Sequence, residues 1–204
     1  MNFQKAYFKK PNSYIPYRYD PEPEDWNELN QIDWQQEIIL EVGCGKGKWI
    51  IEQAKLNPHK TYIGIERTLN KSKFLLNESL KNLINLRADA LAVMQQKIPN
   101  KVINEIYFYY PNPMPKRSQA NQRFFVSAAF ENIDKILINN GKIYLVSNIL
   151  DYITEAKDFL EQFWGYSIQT CQKLNTTVEP RTDFEAKYQQ QGQDLFELTA
   201  FKGN

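Results

Sequence analysis

At 204 residues, with 42% hydrophobic and 24% charged side chains, the chain has the length and composition of one globular domain with a sizeable core, which excludes a disordered or fibrous protein. A net charge of +1 neither demands nor forbids a nucleic-acid partner, because local patches decide that. No apolar run reaches the about 18 residues of a membrane helix, and two cysteines with one histidine lead us to expect neither a disulfide framework nor a His/Cys metal site.

Residues 1–34 are rich in Tyr and Pro, show little periodicity and carry aromatic anchors such as Tyr14, Tyr17 and Trp26. They read as an N-terminal arm packed on the domain or on a partner, with 35–204 as the domain itself. The first residues, MNFQKAYFKK, contain no apolar stretch of the kind a signal peptide needs, so a cytoplasmic protein is expected. IILEV (38–42) reads as a short buried strand leading into a glycine loop. GKWIIEQAKLN then has helical spacing, with Trp49, Ile50 and Ala54 on one side. TYIGIE (61–66) is a second strand, LNKSKFLLNESLKNL (69–83) a helix, INLRAD (84–89) a third strand, and VINEIYFYY (102–110) a fourth and the most apolar. QRFFVSAAFENIDKILINNG (122–141) reads as one long helix closed by its glycine. KIYLVSN (142–148) is a fifth strand, and ILDYITEAKDFLEQFW (149–164) a helix. Two strands follow, around YSIQTC and DLFELTAF, with no clear helix between them. This alternation predicts an α/β fold with a mainly parallel sheet and an antiparallel hairpin at one edge.

Gly43, Gly45 and Gly47 lie in LEVGCGKG, between a strand and a helix, where glycines permit a tight turn and close approach of backbone to a ligand. Glu66 ends the second strand, where a carboxylate suits the two hydroxyls of a ribose, and Asp89 follows the third, where it could meet an adenine edge. Position 48 is Lys, which breaks the dinucleotide pattern. Glu41 at the loop would repel a pyrophosphate but suits the cationic amine and sulfonium of S-adenosylmethionine; otherwise it is a solvated strand end. YFYYPNPMPKR (107–117) hangs a stiff, polar, basic segment from the fourth strand, since each proline lacks a backbone N–H. Ligands of parallel sheets sit at such carboxyl ends, so the segment either faces the reactive end of the cofactor or is a rigid turn with a solvated tip. Lys116 and Arg117 would meet phosphates. Lys9, Lys10, Arg18, Lys116, Arg117 and Arg123 are candidates for a basic patch. In RTDFEAK (181–187), Thr182 and Glu185 either cap a helix or offer a carboxylate to a base.

Four stretches resemble the tRNA (guanine-N7)-methyltransferases: LEVGCGKG (40–47), YIGIER (62–67), YPNPMPKR (110–117) and RTDFEAKYQQQGQDLFEL (181–198). The likeness runs from about residue 37 to the end. It implies a Rossmann-like fold of seven strands, with helices on both faces of the sheet. It implies contact with S-adenosylmethionine at Glu41, Gly43, Gly45, Glu66, Asp89 and Asn112. Asn112 would hold the catalytic position, and Lys116, Asn148, Thr182 and Glu185 would lie at the substrate site. The partner implied is tRNA, for a monomer or homodimer with no membrane attachment. Where the family has aspartates, in its Pro-Asp-Pro segment and after the fifth strand, this chain has Asn112 and Asn148; Met114 replaces a tryptophan. The alternatives are therefore a homologue that binds cofactor or RNA without turnover, or a methyltransferase with another acceptor.

Overall fold

The computed structural model describes residues 2–6, 26–76, 79–175 and 178–203. Lys9, Lys10, Tyr14, Tyr17 and Arg18 lie outside the described residues. Five strands, β1 (Ile38–Val42), β2 (Thr61–Ile65), β3 (Leu83–Leu86), β4 (Ile103–Tyr109) and β5 (Leu137–Ser147), pair in parallel. Two more, β6 (Tyr166–Lys173) and β7 (Phe196–Lys202), complete a seven-stranded sheet in the order β3-β2-β1-β4-β5-β7-β6. β7 runs antiparallel to both β5 and β6. The helices are α1 (Lys48–Leu56), α2 (Leu69–Leu76), α3 (Ala90–Gln96), α4 (Phe130–Ile136), α5 (Leu150–Gln162) and α6 (Asp183–Gln190).

β1 and β2 are buried at every residue, as expected of parallel strands covered on both faces. Their alternate side chains enter two different cores. Leu40, Val42, Ile63 and Ile65 join Phe108, Phe125 and Phe130 on one face of the sheet. Ile39 and Tyr62 join Trp49, Ile50 and Leu75 on the other. Phe3, Trp26, Leu29 and Ile32 from the N-terminal segment are buried in the first of these cores. Among the described residues no helix is long and apolar enough to cross a membrane.

Three expectations need correction. The long helix over 122–141 does not form. Residues Arg117–Gln122 make a 3-10 helix, α4 is seven residues long, and Leu137 already belongs to β5. Phe125 and Val126 are buried in two different clusters, which a one-sided helix could not achieve. The expected helix-closing glycine sits instead in an irregularity of β5. Ile103 pairs with Leu137 but Glu105 pairs with Lys142, so β5 carries extra residues between those pairs. A Cβ at Gly141 would meet Leu137 Cγ at 2.8 Å and the Ile138 carbonyl at 2.9 Å, so only glycine fits. The helix expected over 69–83 gives helical geometry over Leu69–Leu76, and residues 79–82 are not helical. There Asn82 Nδ2 bonds the carbonyls of Ala54, Asn57 and Lys60 instead. Finally, β6 and β7 pair antiparallel at the sheet edge as expected, but α6 lies between them in sequence, where no clear helix was expected, and β7 sits inside β6 in the sheet. The short α3 was not anticipated.

Candidate active site

The carboxyl ends of β1, β2 and β4 carry the candidate residues to one side of the sheet. After β1 the glycine loop turns back on β2. Gly43 and Cys44 donate to the Ile65 carbonyl at 2.8 and 3.1 Å, and Gly47 donates to the Cys44 carbonyl at 2.9 Å. Gly43 and Gly45 have φ of 74° and 62°, with nothing within 4 Å of where a side chain would begin, so the loop opens onto free space. Glu66 is buried and stitches this loop to the next. Its two carboxylate oxygens accept the N–H groups of Gly45 at 3.0 Å and Thr68 at 2.7 Å.

Glu41 is 1% exposed, and its Oε2 accepts no hydrogen bond among the described residues. Burial first, then the neighbouring Glu66 charge, push its carboxyl well above the usual carboxylate range, against a backbone hydrogen bond from Ile50. An acceptor left without a partner in such a place suits a cationic donor. Burial, with Glu41 and Glu66 nearby, likewise pushes the Cys44 thiol up, away from nucleophilic use.

Two clefts meet here. One of about 510 Å³ is lined by Glu66, Asp89, Asn112, Met114 and Asn148, among others. A smaller one of about 220 Å³ reaches Glu41, Gly45 and Thr182. Gly43, Lys71, Tyr109 and Phe184 line both. Asp89 caps α3, its Oδ1 accepting the N–H groups of Leu91 and Ala92 at 3.0 and 3.2 Å.

The proline segment begins where β4 ends. Tyr110 donates to the Val146 carbonyl at 2.8 Å and then turns the chain at φ +52°; Met114 repeats this at φ +45°. Non-glycine residues in this region cost about 1–3 kcal/mol each and persist where surrounding contacts enforce them. Asn112 is exposed, and its Oδ1 accepts the Met114 N–H at 3.1 Å. Asn148 Nδ2 donates to Gln193 Oε1 at 2.7 Å. Lys116 is exposed at the start of the 3-10 helix and lines neither cleft.

Thr182 N-caps α6, accepting the Glu185 N–H at 3.1 Å, but the reciprocal half of a capping box is missing. Glu185 is 1% exposed and accepts from Arg181 Nε through both oxygens at 3.1 Å, so it stands behind Thr182 and lines neither cleft. One candidate for the basic patch needs correction: Arg123 is completely buried beside Glu155 and belongs to no such patch. Lys46, Lys48 and Lys71, which form a cationic rim of the smaller cleft together with Lys187, were not anticipated. Lys46 lies 5.1 Å from the Phe74 ring and Lys71 lies 5.0 Å from the Phe184 ring. These residues come from the glycine loop, the start of α1, α2 and α6, so no local run of charge announces them.

Comparison with known proteins agrees with this architecture. The family model described as "Putative methyltransferase" matches residues 35–198. The tRNA (guanine-N(7)-)-methyltransferase of Nitrosococcus oceani is 30% identical over 168 residues, which cover 80% of this chain and 71% of that protein. The bifunctional methyltransferase of Rickettsia felis is 31% identical over 163 residues, covering 78% of this chain but only 30% of that longer protein. Among solved structures, the 16S rRNA (adenine(1408)-N(1))-methyltransferase of Catenulisporales acidiphilia superposes with a TM-score of 0.59 at 10% identity, covering 91% of this chain and 93% of that one; at such identity the likeness concerns the fold alone. The family match, the Nitrosococcus relative and the seven-stranded Rossmann-like sheet agree: the chain belongs to the tRNA (guanine-N7)-methyltransferase family of S-adenosylmethionine-dependent enzymes.

Proposed function

We propose that the protein transfers a methyl group from S-adenosylmethionine to N7 of a guanine in tRNA, in the cytoplasm. One observation carries the reading: a buried carboxylate, Glu41, keeps an unpartnered oxygen beside a glycine loop that opens onto the cleft. That fits the cationic amine of the cofactor. Glu66 would accept from its ribose hydroxyls with the lone pairs that Gly45 and Thr68 leave free, and Asp89 would accept at its adenine edge. When bound, the cofactor supplies an electrophilic methyl group.

Guanine N7 has a lone pair and no proton. The new bond forms from that lone pair while the carbon–sulfur bond breaks toward sulfur, and the base gains a positive charge. No general base is needed, so the work of this chain is placement and exclusion of water. Asn112 and Asn148 line the same cleft. With Asn112 Oδ1 engaged by Met114, its amide N–H groups would donate to the O6 side of the base. With Asn148 Nδ2 engaged by Gln193, its Oδ1 would accept from the opposite edge. The lysine rim would hold phosphates, and Phe184 and Tyr188 offer rings for stacking.

Incubation with methyl-labelled S-adenosylmethionine and unmodified tRNA, followed by nucleoside analysis, tests this. Label in 7-methylguanosine is expected. No label, with cofactor binding intact, refutes the reading and leaves a homologue that binds without turnover.

A further inference from the structure

Arg123 is 0% exposed, and its ion-pair partner Glu155 is 3% exposed. The guanidinium is fully employed. Nε donates to the carbonyls of Pro113 at 3.2 Å and Met114 at 3.1 Å. Nη2 donates to Met114 again at 2.8 Å, to Gln4 at 2.9 Å and to Lys116 at 3.3 Å. Nη1 meets both Glu155 oxygens at 2.6 and 2.8 Å. Glu155 also accepts the Ala6 N–H at 2.6 Å, and the Phe3 ring lies 4.3 Å from the guanidinium carbon. Residues 3–6 are thereby strapped along the proline segment. Gln4 N–H bonds the Pro115 carbonyl at 2.8 Å, and Arg117 Nε bonds the Lys5 carbonyl at 2.8 Å.

Burying such a pair is costly, and well-packed apolar residues often stabilise a fold as much or more. What the pair secures is geometry. Its targets are the carbonyls flanking Met114, one of the two positions held at positive φ, in the segment that presents Asn112 and Met114 to the cleft. Neither Arg123 nor Glu155 lines either cleft, so both act through that segment.

We propose that Arg123 and Glu155 are positioning residues for methyl transfer, which with the strap of residues 3–6 hold the 112–116 segment in its cleft-facing conformation. The kinetic part of this inference rests on the proposed activity; the structural part does not. Three variants separate the possibilities. Arg123→Lys keeps the charge, but one ammonium cannot serve four carbonyls and a carboxylate at once. Phe3→Ala loosens the strap and leaves the buried pair in place. Ile133→Ala, in α4, is a control for ordinary loss of packing, since Ile133 is 0% exposed.

The readouts are hydrogen exchange in a peptide covering 110–117, affinity for S-adenosylhomocysteine, and kcat and KM for tRNA, all below the melting temperature of every variant. Arg123→Lys and Phe3→Ala are expected to speed exchange in that peptide at least tenfold and to lower kcat at least tenfold. KM and S-adenosylhomocysteine affinity should stay within about threefold. Ile133→Ala should lose thermal stability and keep kcat. Unchanged exchange, unchanged kcat, or equal kcat losses in all three variants overturn the proposal. If the parent protein methylates no guanine, the proposed activity fails by itself, and the exchange contrast alone then upholds or overturns the positioning role.

Discussion

Glu41→Gln removes the charge of Glu41 and keeps its shape. In the parent, one carboxylate oxygen is buried without a partner, so the variant is expected to be the more stable protein in the absence of ligand and the poorer binder in its presence. A hydrogen bond to a charged group contributes about 1.5–3 kcal/mol, which corresponds to about a 10- to 150-fold loss of affinity. The pH dependence has a definite sign. Burial and Glu66 hold this carboxyl above the usual carboxylate range, so the folded state binds its proton more tightly than the unfolded state does. Its contribution to stability is therefore present below the ordinary carboxylate pKa and is lost as pH rises through the raised one. Over that same interval the parent should bind a cationic amine more tightly as pH rises, because the carboxylate ionises; the variant should show neither slope. Isothermal titration with S-adenosylhomocysteine, which keeps the amine, measures the binding, and thermal melts without ligand measure the stability. Binding by Glu41→Gln within twofold of the parent, or an unaltered pH slope, would falsify the assignment of Glu41 to the amine.

Four further outcomes are expected. Asn112→Asp can still accept the Met114 N–H, so the fold should be unchanged, but it loses the amide N–H groups that would donate to the O6 side of the base, a loss of about 0.5–1.5 kcal/mol; single-turnover methyl transfer should slow about 2- to 13-fold, and a faster rate would show instead that the carboxylate charge outweighs the lost donor. Thr182→Ala deletes the N-cap of α6 and should cost about 1 kcal/mol in urea denaturation; no loss would mean that Arg181 and Glu185 alone hold that turn. Gly141→Ala forces a Cβ against Leu137 and the Ile138 carbonyl and should destabilise by about 1–3 kcal/mol, with wild-type stability arguing against the β5 irregularity. Lys187→Ala should lower the slope of log affinity for tRNA against log salt by about 1, and an unaltered slope removes this lysine from the RNA-facing rim.

The parts of the fold read correctly were those whose signal is local. β1, the glycine loop, β2 and Glu66 follow one another within thirty or so positions, and their hydrogen bonds run between the same neighbours. α5 was visible because its buried residues recur at helical spacing over thirteen residues. α3 was not, since seven residues after an apolar strand give too short a period to separate from the strand itself. The start of β5 was read as helix because an apolar run after α4 has no period of its own, and the irregularity that redirects it depends on Asn140 at φ +60° and on the space around Gly141.

The misreading of Arg123 has a different cause. An arginine in a polar stretch reads as solvated, and its place among the basic-patch candidates assumed an exposure that it does not have. Its partners include the backbone carbonyls of residues 4, 113, 114 and 116, and every residue has a carbonyl, so the side-chain pattern cannot mark them. The mark lay 32 positions away in α5. Tyr152, Ala156, Phe159 and Leu160 define the buried face of that helix, and Glu155 falls among them. A carboxylate at such a position requires either a raised pKa or a buried cation. The aromatic and cationic residues of the 107–123 region were the nearest supply, and Arg123 is the member that could pair with Glu155 and still reach several carbonyls, because a guanidinium carries five donors in a rigid fork. Under the proposed function, phosphate contacts near this segment would then fall to Lys116 and the lysine rim of the smaller cleft.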